Sequence, residues 1–424
     1  MQVIHERCCG LDVHKKTVVA CVLITRPDGP VEKRLRTFGT MTADLLALSD
    51  WLDGFGVSQV AMESTGVYWR PVFNVLEDEA RVITLVNPQH IKALPGRKTD
   101  IKDSEWLADL LRHGLVKPSF IPTAPIRELR ELTRYRKSLV RQRTQEINRL
   151  HKLLEGANIK LGSVATDVLG KSGRDMLEAL LGGEQDPEVL AELARGRLRA
   201  KLPVLRHAFE GRVKAYHLVL LAQILAHVDY LDGAIEQLHD AIEEHLAPFR
   251  EAVGLLLTIP GVGEIAAATI VAEIGTDMDR FPSARHLASW AGLCPGNKQS
   301  GGKRLSGKTT KGSTWLRAVL TEVAWANARS RKTYFGAQFR RLARRRGNAR
   351  ALVAVAHSLI VTIYHMLRDG RPYADLGVDY FDHLDTERLE KHHVGRLNAL
   401  GYTVTLTPRL SAEPALAAHA GSIR

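Results

Sequence analysis

The chain contains few cysteines and no long apolar run, and each shortage excludes a class of protein. Its 424 residues include four cysteines (Cys8, Cys9, Cys21 and Cys294) and no Cys-x-x-Cys pair. We therefore expect a reducing compartment, without a disulfide framework or a cysteine zinc site. No stretch approaches the ~18 consecutive apolar residues of a membrane helix, and the first residues lack the apolar core of a secretory signal. These shortages predict a cytoplasmic protein without a membrane partner.

Acidic residues are fewer than basic ones, and this balance points to a polyanionic partner. Lys and Arg number 59 against 47 Asp and Glu, a net charge of +12. A basic surplus of this size favours nucleic acid over a small neutral substrate. The length exceeds a typical domain of ~100–200 residues, so we expect several domains.

Residues 1–120 have the pattern of an α/β domain. Three apolar runs, at 8–13, 17–24 and 31–38, follow one another with short polar connections. Helical and extended patterns then alternate: a helix at 42–55 with Thr42 as its N-cap, a strand at 58–62, a helix at 67–76, a strand at 82–86 and a helix at 100–113. This order is that of ribonuclease-H-like folds and does not fit a doubly wound dinucleotide fold.

The remainder of the chain is predicted to be mainly helical. Two long periodic stretches, 127–154 and 205–246, indicate an antiparallel coiled-coil arm, and a plain helical bundle fits them equally well. Residues 155–204 form an insertion between them whose role the sequence does not indicate. We therefore expect an α/β domain at 1–120, the arm at 121–250, a helical domain at 251–370 and a tail at 371–424.

Four carboxylates stand at the ends of predicted N-terminal elements. Asp12 follows the first strand, Glu63 follows the fourth, and Asp100 and Asp103 begin a helix. In a ribonuclease-H-like sheet the first and fourth strands are neighbours and a late helix crosses them, so the four groups would meet. Clustered carboxylates favour Mg²⁺ or Mn²⁺, and two such ions can clamp a phosphodiester. Singly, each is more often an ordinary turn or helix-start acid, and only the set supports a metal site.

Two glycine-rich segments predict contacts with phosphate. The turn 260–263 resembles a helix-hairpin-helix, which would place Gly261 and Gly263 against a backbone phosphate, although generic connectors have the same sequence. The loop 296–312 contains five glycines, five basic residues and no acid. Its candidate phosphate-binding cations are Lys298, Lys303, Arg304, Lys308 and Lys311, and a serine beside them can act as a nucleophile. A flexible solubilising loop is the alternative interpretation. The arginine-rich segment 340–350 and the basic helix 127–154 also have the composition of surfaces that contact a nucleic-acid backbone.

Two sets of motifs occur in a fixed order along residues 5–330. The N-terminal set is GLDVHKK, MESTGVYWRPV and KTDIKDSEWLADLLRHG. The C-terminal set is IPGVGEIAAATIVAEIG, FPSARHLASWAGLCPGNKQSGGK and TTKGSTWLRAVLTEVAW. Together they resemble those of DEDD-type insertion-sequence transposases, a family related to the Piv site-specific invertase and described as bridge-RNA-guided recombinases.

The resemblance implies a fold, a set of site residues and partners. The first domain would be RuvC-like, a ribonuclease-H fold, followed by a coiled-coil arm and a mainly helical transposase domain with a helix-hairpin-helix. The implied catalytic residues are a Mg²⁺-binding tetrad and a nucleophilic serine in a Gln-Ser-Gly motif, here Asp12, Glu63, Asp100, Asp103 and Ser300. Ser306 and Ser313 compete with Ser300 for that role.

The resemblance also implies what the protein does. It would excise and insert its own element, acting on donor and target DNA with a structured guide RNA. Two protomers of a dimer or tetramer would combine the tetrad of one with the serine of the other, at the bacterial nucleoid. A junction-resolving nuclease that uses the tetrad and water is the alternative enzyme. An inactive nucleic-acid scaffold is disfavoured because all four carboxylates are present.

Overall fold

The computed structural model describes residues 2–26, 30–64, 66–77, 81–87, 100–384 and 386–407. Within these ranges it gives the backbone, and not the side chains, of residues 100–102, 298–300, 304–305 and 387–389. The chain divides into two compact units, Met1–Pro122 and Thr123–Arg424.

The first unit is built on a mixed β-sheet. In the described residues its strands are β1 (Arg7–Val13), β2 (Thr17–Ile24), β3 (Glu32–Gly39), β4 (Gln59–Glu63) and β5 (Val82–Val86), in the order β3-β2-β1-β4-β5. The first three strands pair antiparallel, and β4 and β5 run parallel to β1. The predicted mixed α/β class and the adjacency of the first and fourth strands are confirmed.

Helices cover both faces of this sheet. They are α1 (Thr42–Gly54), α2 (Trp69–Leu76) and α3 (Asp100–Arg112). Alternate strand residues point to opposite faces, so Cys9 and Leu11 of β1 pack in the core beneath α1 and α2. Cys8 packs on the other face, against Leu107 and Ala108 of α3. The sheet therefore has two apolar cores.

The predicted bounds of these elements lie within two residues of the observed ones, an ordinary difference at element ends. One capping prediction is wrong. Thr42 is the first helical residue of α1, and the N-cap position is Met41, without a side-chain capping bond.

The second unit is mainly helical. Its helices are α4 (Ala124–Gly156), α5 (Leu161–Val164), α6 (Lys171–Leu181), α7 (Pro187–Glu192), α8 (Leu202–Ala208), α9 (Ala215–Leu246), α10 (Arg250–Leu257), α11 (Glu264–Ile274), α12 (Ala284–Trp290), α13 (Thr314–Arg329), α14 (Tyr334–Arg346), α15 (Asn348–Asp369), α16 (Tyr380–His383) and α17 (Thr386–Ala399). Short 3-10 helices lie at Gly196–Lys201, Ala247–Phe249 and Met278–Arg280. Two short strands, β6 (Lys298–Ser300) and β7 (Lys303–Ser306), form a separate hairpin.

The long helices α4 and α9 pack side by side and antiparallel. Two ion pairs connect them, Arg143 with Asp232 and Glu128 with His245. The earlier residue of α4 pairs with the later residue of α9, as the antiparallel direction requires. The prediction of one continuous helical stretch over 205–246 is wrong, because α8 ends at Ala208 and α9 begins later. The intervening segment turns back onto the end of α4, where the amide of Arg212 donates to the carbonyl of Ala157 at 2.8 Å.

The insertion between the long helices closes one end of the pair. Leu161 and Met176 of the insertion share an apolar cluster with Leu154 of α4 and Leu221 of α9. All four side chains are buried. The insertion is therefore a small helical cap that covers apolar ends otherwise open to water.

Helix α15 forms the centre of the remaining bundle, with Val355, Leu359 and Ile363 fully buried. The following segment packs over α14, where the rings of Tyr334 and Phe381 stack 5.1 Å apart. By length and composition the described residues contain two helices able to cross a membrane, Ala215–Leu257 and Asn348–Asp369. The apolar window of the first is 22% buried and that of the second 50% buried, and in this unit α9 packs along α4.

Candidate active site

Two of the predicted carboxylates lie at the carboxyl ends of neighbouring parallel strands. The register of β1 with β4 runs from Cys8 opposite Gln59 to Leu11 opposite Met62. Asp12 and Glu63 are the next residues along these two strands, so they stand side by side. Since side chains alternate between faces and Cys8 packs against α3, both carboxylates belong to the α3 face of the sheet.

Helix α3 reaches this edge because Gly10 has no side chain. A Cβ atom at Gly10 would lie 2.2 Å from the carbonyl oxygen of Ser104 and 2.5 Å from the amide nitrogen of Ala108. One step back along β1, the thiol of Cys8 donates to the carbonyl of Ala108 at 3.5 Å. Helix α3 therefore lies directly on β1 and runs antiparallel to it.

This direction brings the first turn of α3 toward the end of β1 that carries Asp12. Asp103, on that turn, is half-buried. The backbone of Asp100 lies one helical turn before Ser104, and its side chain is outside the described set. Among the side chains that the structure describes, no three His, Cys, Asp or Glu residues are close enough to hold a metal ion together. We call the four predicted positions, Asp12, Glu63, Asp100 and Asp103, the acidic edge.

Asp12 has a neighbour that the sequence analysis did not assign to the site. Its side chain is 16% exposed, and its Oδ2 atom lies 3.1 Å from Nε2 of His14, which is 49% exposed. An imidazole protonated at Nε2 donates a hydrogen bond to the carboxylate and so helps to hold Asp12 in place. The sequence contained a signal for this contact. Asp12 and His14 are two positions apart at a strand end, and this spacing places both side chains on one face.

The cysteines next to the acidic edge are core residues. Burial raises the pKa of Cys8 to about 12 and that of Cys21 to about 11. Burial likewise raises the pKa of Cys9. These thiols are neutral near pH 7 and are therefore neither nucleophiles nor metal ligands in this state.

The segment 296–312, predicted to be a loop rich in glycine, lysine and serine, contains a β-hairpin. Strands β6 and β7 pair antiparallel around Gly301 and Gly302, whose φ angles are +54° and +75°. Two positive φ angles in a two-residue connection are typical of a type I′ hairpin turn. A register shift follows Lys298, and such bulges often adjoin active sites. Ser300 is the last residue of β6, directly before the glycine turn, and its side chain lies outside the described set.

The base of the hairpin is fixed to the helical unit. The amide of Gly296 donates to the carbonyl of Lys308 at 2.8 Å, and that of Thr310 donates to the carbonyl of Cys294 at 3.2 Å. A Cβ atom at Gly312 would lie 2.3 Å from the amide nitrogen of Gly292, so the two backbones are in direct contact. The hairpin therefore extends from an ordered base.

The three candidate serines have different surroundings. Ser313 caps α13, accepting a hydrogen bond from the amide of Leu316 at 3.2 Å, and donates to the carboxylate of Glu273 at 2.8 Å. Ser306 accepts a hydrogen bond from the amide of Lys308 at 3.2 Å. The hydroxyl of Ser313 is thus committed to the structure, whereas Ser300 stands at the hairpin tip.

Glu273 joins three helices, a role that the sequence analysis missed. Its side chain is fully buried and accepts two hydrogen bonds from Arg134 of α4, at 2.7 and 2.9 Å, as well as the one from Ser313 of α13. Arg130 donates to the backbone carbonyls of Ala272 and Glu273 beside it. The available signal was an acid at the far end of α11, after the apolar run that follows its first residue Glu264, because buried carboxylates require partners.

The glycine turn between α10 and α11 packs onto α13. Gly261 has a φ of +80°, and a Cβ atom there would lie 2.9 Å from that of Ala326. The side-chain amide of Asn327 donates to the carbonyl of Pro260 at 2.6 Å. Backbone conformation and packing thus account for Gly261, while Gly263 has open space beside it. Phosphate contact at this turn stays a prediction.

The predicted phosphate-binding cations of the hairpin segment are exposed where the structure describes them, at Lys303, Lys308 and Lys311. The side chains of Lys298 and Arg304 lie outside the described set.

Comparison with known proteins identifies the family. A DEDD transposase model of the IS110 type matches residues 9–159, and a model described as the IS116/IS110/IS902 transposase family matches residues 253–340. An uncharacterized 42 kDa protein of insertion element IS900 from Mycobacterium paratuberculosis is 30% identical over 301 residues, covering 65% of this chain and 73% of that protein. The transposase for IS1111A from Coxiella burnetii is 26% identical over 294 residues, covering 68% and 72%.

Among solved structures, RuvC from Thermus thermophilus matches at 14% identity with a TM-score of 0.21, covering 27% of this chain and 99% of that chain. The resemblance to DEDD insertion-sequence transposases is confirmed by the family models and the curated relatives. The chain belongs to the IS110 family of transposases, enzymes that cleave DNA and transfer its strands.

Proposed function

We propose that this transposase cuts the DNA of its own insertion sequence with the acidic edge and with Ser300 as nucleophile. The observation that carries the proposal is the register of β1 with β4, which sets Asp12 beside Glu63 on the face that α3 covers. A second observation supports it. Helix α3 lies directly on β1 at Gly10, and Asp100 and Asp103 are in the first turn of this helix.

The donor set of the acidic edge fits divalent metal ions. All four groups are carboxylates, and hard oxygen ligands are those that Mg²⁺ and Mn²⁺ prefer. Asp12 and Glu63 would hold the ions from the sheet, and Asp100 and Asp103 from the helix. When bound, the ions supply neutralisation of negative charge at the scissile phosphodiester.

Ser300 would act by transesterification. Its Oγ forms a bond to the scissile phosphorus, the bond from phosphorus to the leaving strand's oxygen breaks, and the serine proton passes to that oxygen, directly or through water. One phosphodiester is exchanged for another, so a phosphoserine link retains the bond energy needed for rejoining. The hairpin favours this role because two glycines beside Ser300 leave room for a nucleic-acid backbone.

The partners follow from the basic surplus and from the resemblance. Donor and target DNA would be joined by a structured RNA encoded by the element, within a dimer or tetramer at the bacterial nucleoid. Expression of the gene with its flanking non-coding DNA, followed by sequencing of RNA that copurifies, tests guidance. One discrete RNA from the flank supports it, and random cellular RNA contradicts it.

Replacement of two serines tests the nucleophile. Ser300→Ala should lower strand cleavage by at least about 10³-fold and abolish a covalent protein–DNA adduct, while binding of DNA persists. Ser313→Ala is the matched control: loss of the α13 cap should reduce stability by about 1 kcal/mol and leave the adduct in place. Mass spectrometry of a denatured cleavage reaction should place the phosphoserine in the peptide that contains Ser300. Full cleavage by Ser300→Ala without an adduct would refute the assignment and favour a nuclease that uses water.

A further inference from the structure

The two strands β6 and β7, with Ser300 before the turn, are called the serine hairpin. We propose that a basic basin beside the base of the serine hairpin binds the phosphate backbone of a nucleic-acid strand. The basin is an open cavity of about 1280 Å³ between the hairpin base and α13, α14 and α15. Its cations are Lys308 from the segment after β7, Arg317 from α13, Arg346 from the end of α14 and Arg350 from the start of α15. The inference rests on the proposed function in that it takes nucleic acid as the substrate.

Within the described residues, no carboxylate compensates the charge of the basin. None of the described residues that line it is acidic. In the part of the chain that the structure describes, Arg317 donates to the hydroxyl of Thr309 at 2.9 Å, and none of the four cations forms an ion pair. Arginines elsewhere in this unit, such as Arg174 and Arg199, do pair with carboxylates. Four uncompensated cations around one cavity attract a polyanion.

The size and the other groups of the basin favour a nucleic-acid strand over a small anion. Its volume exceeds the ~300–1,000 Å³ of typical small-molecule pockets. Beside the cations it presents hydrogen-bonding groups, including His357, Thr309 and the pair in which Gln338 donates to Ser358 at 2.8 Å. Burial lowers the pKa of His357, so this imidazole offers a neutral hydrogen-bonding edge to sugars and bases.

The position of the basin connects it to the hairpin. Lys308 and Thr309 come after Gly307, one residue beyond the end of β7, and pair with the segment that leads into β6. A strand held by these residues would therefore lie at the foot of the hairpin whose tip carries Ser300. In this arrangement the basin positions the backbone and does not specify a base sequence.

The salt dependence of binding tests the basin. Purified full-length protein is titrated into fluorescent duplex DNA, single-stranded DNA and RNA, each from about 50 to 200 mM salt. The double variant Arg346→Ala/Arg350→Ala should lower the slope of log K against log salt by about 1.8 for a duplex or 1.4 for a single strand, from 0.9 or 0.7 per lost phosphate contact. The nucleic acid that shows the change identifies the bound strand.

The same unit offers a control outside the arginine-rich segment. Arg197 and Arg212 are exposed, form no ion pair within the described residues, and do not line the basin. Arg197→Ala/Arg212→Ala removes the same charge and should leave the slope unchanged. Equal slopes for the two double variants would overturn the proposal, as would complete displacement of the strand by equimolar inorganic phosphate.

A second measurement does not depend on substitution. Bound nucleic acid should protect Lys308 from acetylation in the unmodified protein, and unchanged labelling of Lys308 at saturation would contradict the proposal.

This test and the nucleophile test can fail separately. The Ser300→Ala variant keeps the basin, so its salt slope is measured whether or not Ser300 is the nucleophile. The adduct assay, in turn, reports on Ser300 whether or not the basin binds a strand.

Discussion

The approach of α3 to β1 at Gly10 makes the acidic edge sensitive to a single methyl group. In Gly10→Ala the new Cβ would lie 2.2 Å from the carbonyl oxygen of Ser104, where ordinary contacts begin at 3.4 Å. Helix α3 must therefore move by the difference, about 1.2 Å, and its first turn moves with it. Overpacking of this kind reduces stability by about 1–3 kcal/mol, and a displacement of ~1 Å in a catalytic group lowers rate about 10²-fold.

Hydrogen–deuterium exchange resolves this change because it reports on the first unit separately. The expected loss of about 1–3 kcal/mol in stability, at about 1.4 kcal/mol per factor of ten, corresponds to about 5- to 150-fold faster exchange. This increase should appear in peptides covering Arg7–Val13 and Asp100–Arg112 of Gly10→Ala. Strand cleavage should fall about 100-fold. Gly54→Ala is the control, since a Cβ at Gly54 meets no atom within 4 Å. If both variants exchange and cleave alike, the argument that Gly10 sets the position of α3 is refuted.

Two further substitutions probe the packing of each unit. Glu273→Ala leaves Arg134 without its buried partner, and the free energy of unfolding of the second unit should fall by about 3 kcal/mol, which urea denaturation measures; an unchanged midpoint would contradict the joining role of Glu273. In the first unit, burial raises the pKa of Cys8 to about 12 and of Cys21 to about 11, above the ~8.5 of an unfolded thiol. The folded state therefore holds these protons more tightly, and its stability, fully present below pH ~8.5, should decrease as pH rises toward 11. The urea midpoint of the first unit against pH checks this, and Cys8→Ala should flatten the curve.

The first unit could be predicted closely because its signals are local. β1 and β2 are short apolar runs bounded by charged residues, and α3 has Leu107, Leu110 and Leu111 on one helical face. The neighbouring positions of Asp12 and Glu63 followed from the fold class, because consecutive strands and alternating elements leave few sheet orders. The closeness of α3 to β1 could not be predicted, because it depends on which helical backbone atoms face Gly10.

The serine hairpin and the Glu273 network could not be predicted for different physical reasons. The residues flanking Gly301 and Gly302 are polar on both sides, so no alternation of apolar and polar residues marks the strands. The partners of Glu273 come from segments more than 100 positions earlier and 40 positions later. Such contacts depend on tertiary packing, which a single sequence does not specify.

The placement of the carboxylates at element ends explains how the first unit tolerates them. In the middle of β1, Cys8 and Cys9 are fully buried, and an ionised carboxylate there would lose its hydration without compensation. At the end of the strand Asp12 keeps 16% of its side chain in water and lies 3.1 Å from the His14 imidazole. The carboxylate in this position therefore keeps part of its hydration and a hydrogen-bonding partner. The apolar layers on both faces of the sheet, beneath α1 and α2 and beneath α3, supply its stability.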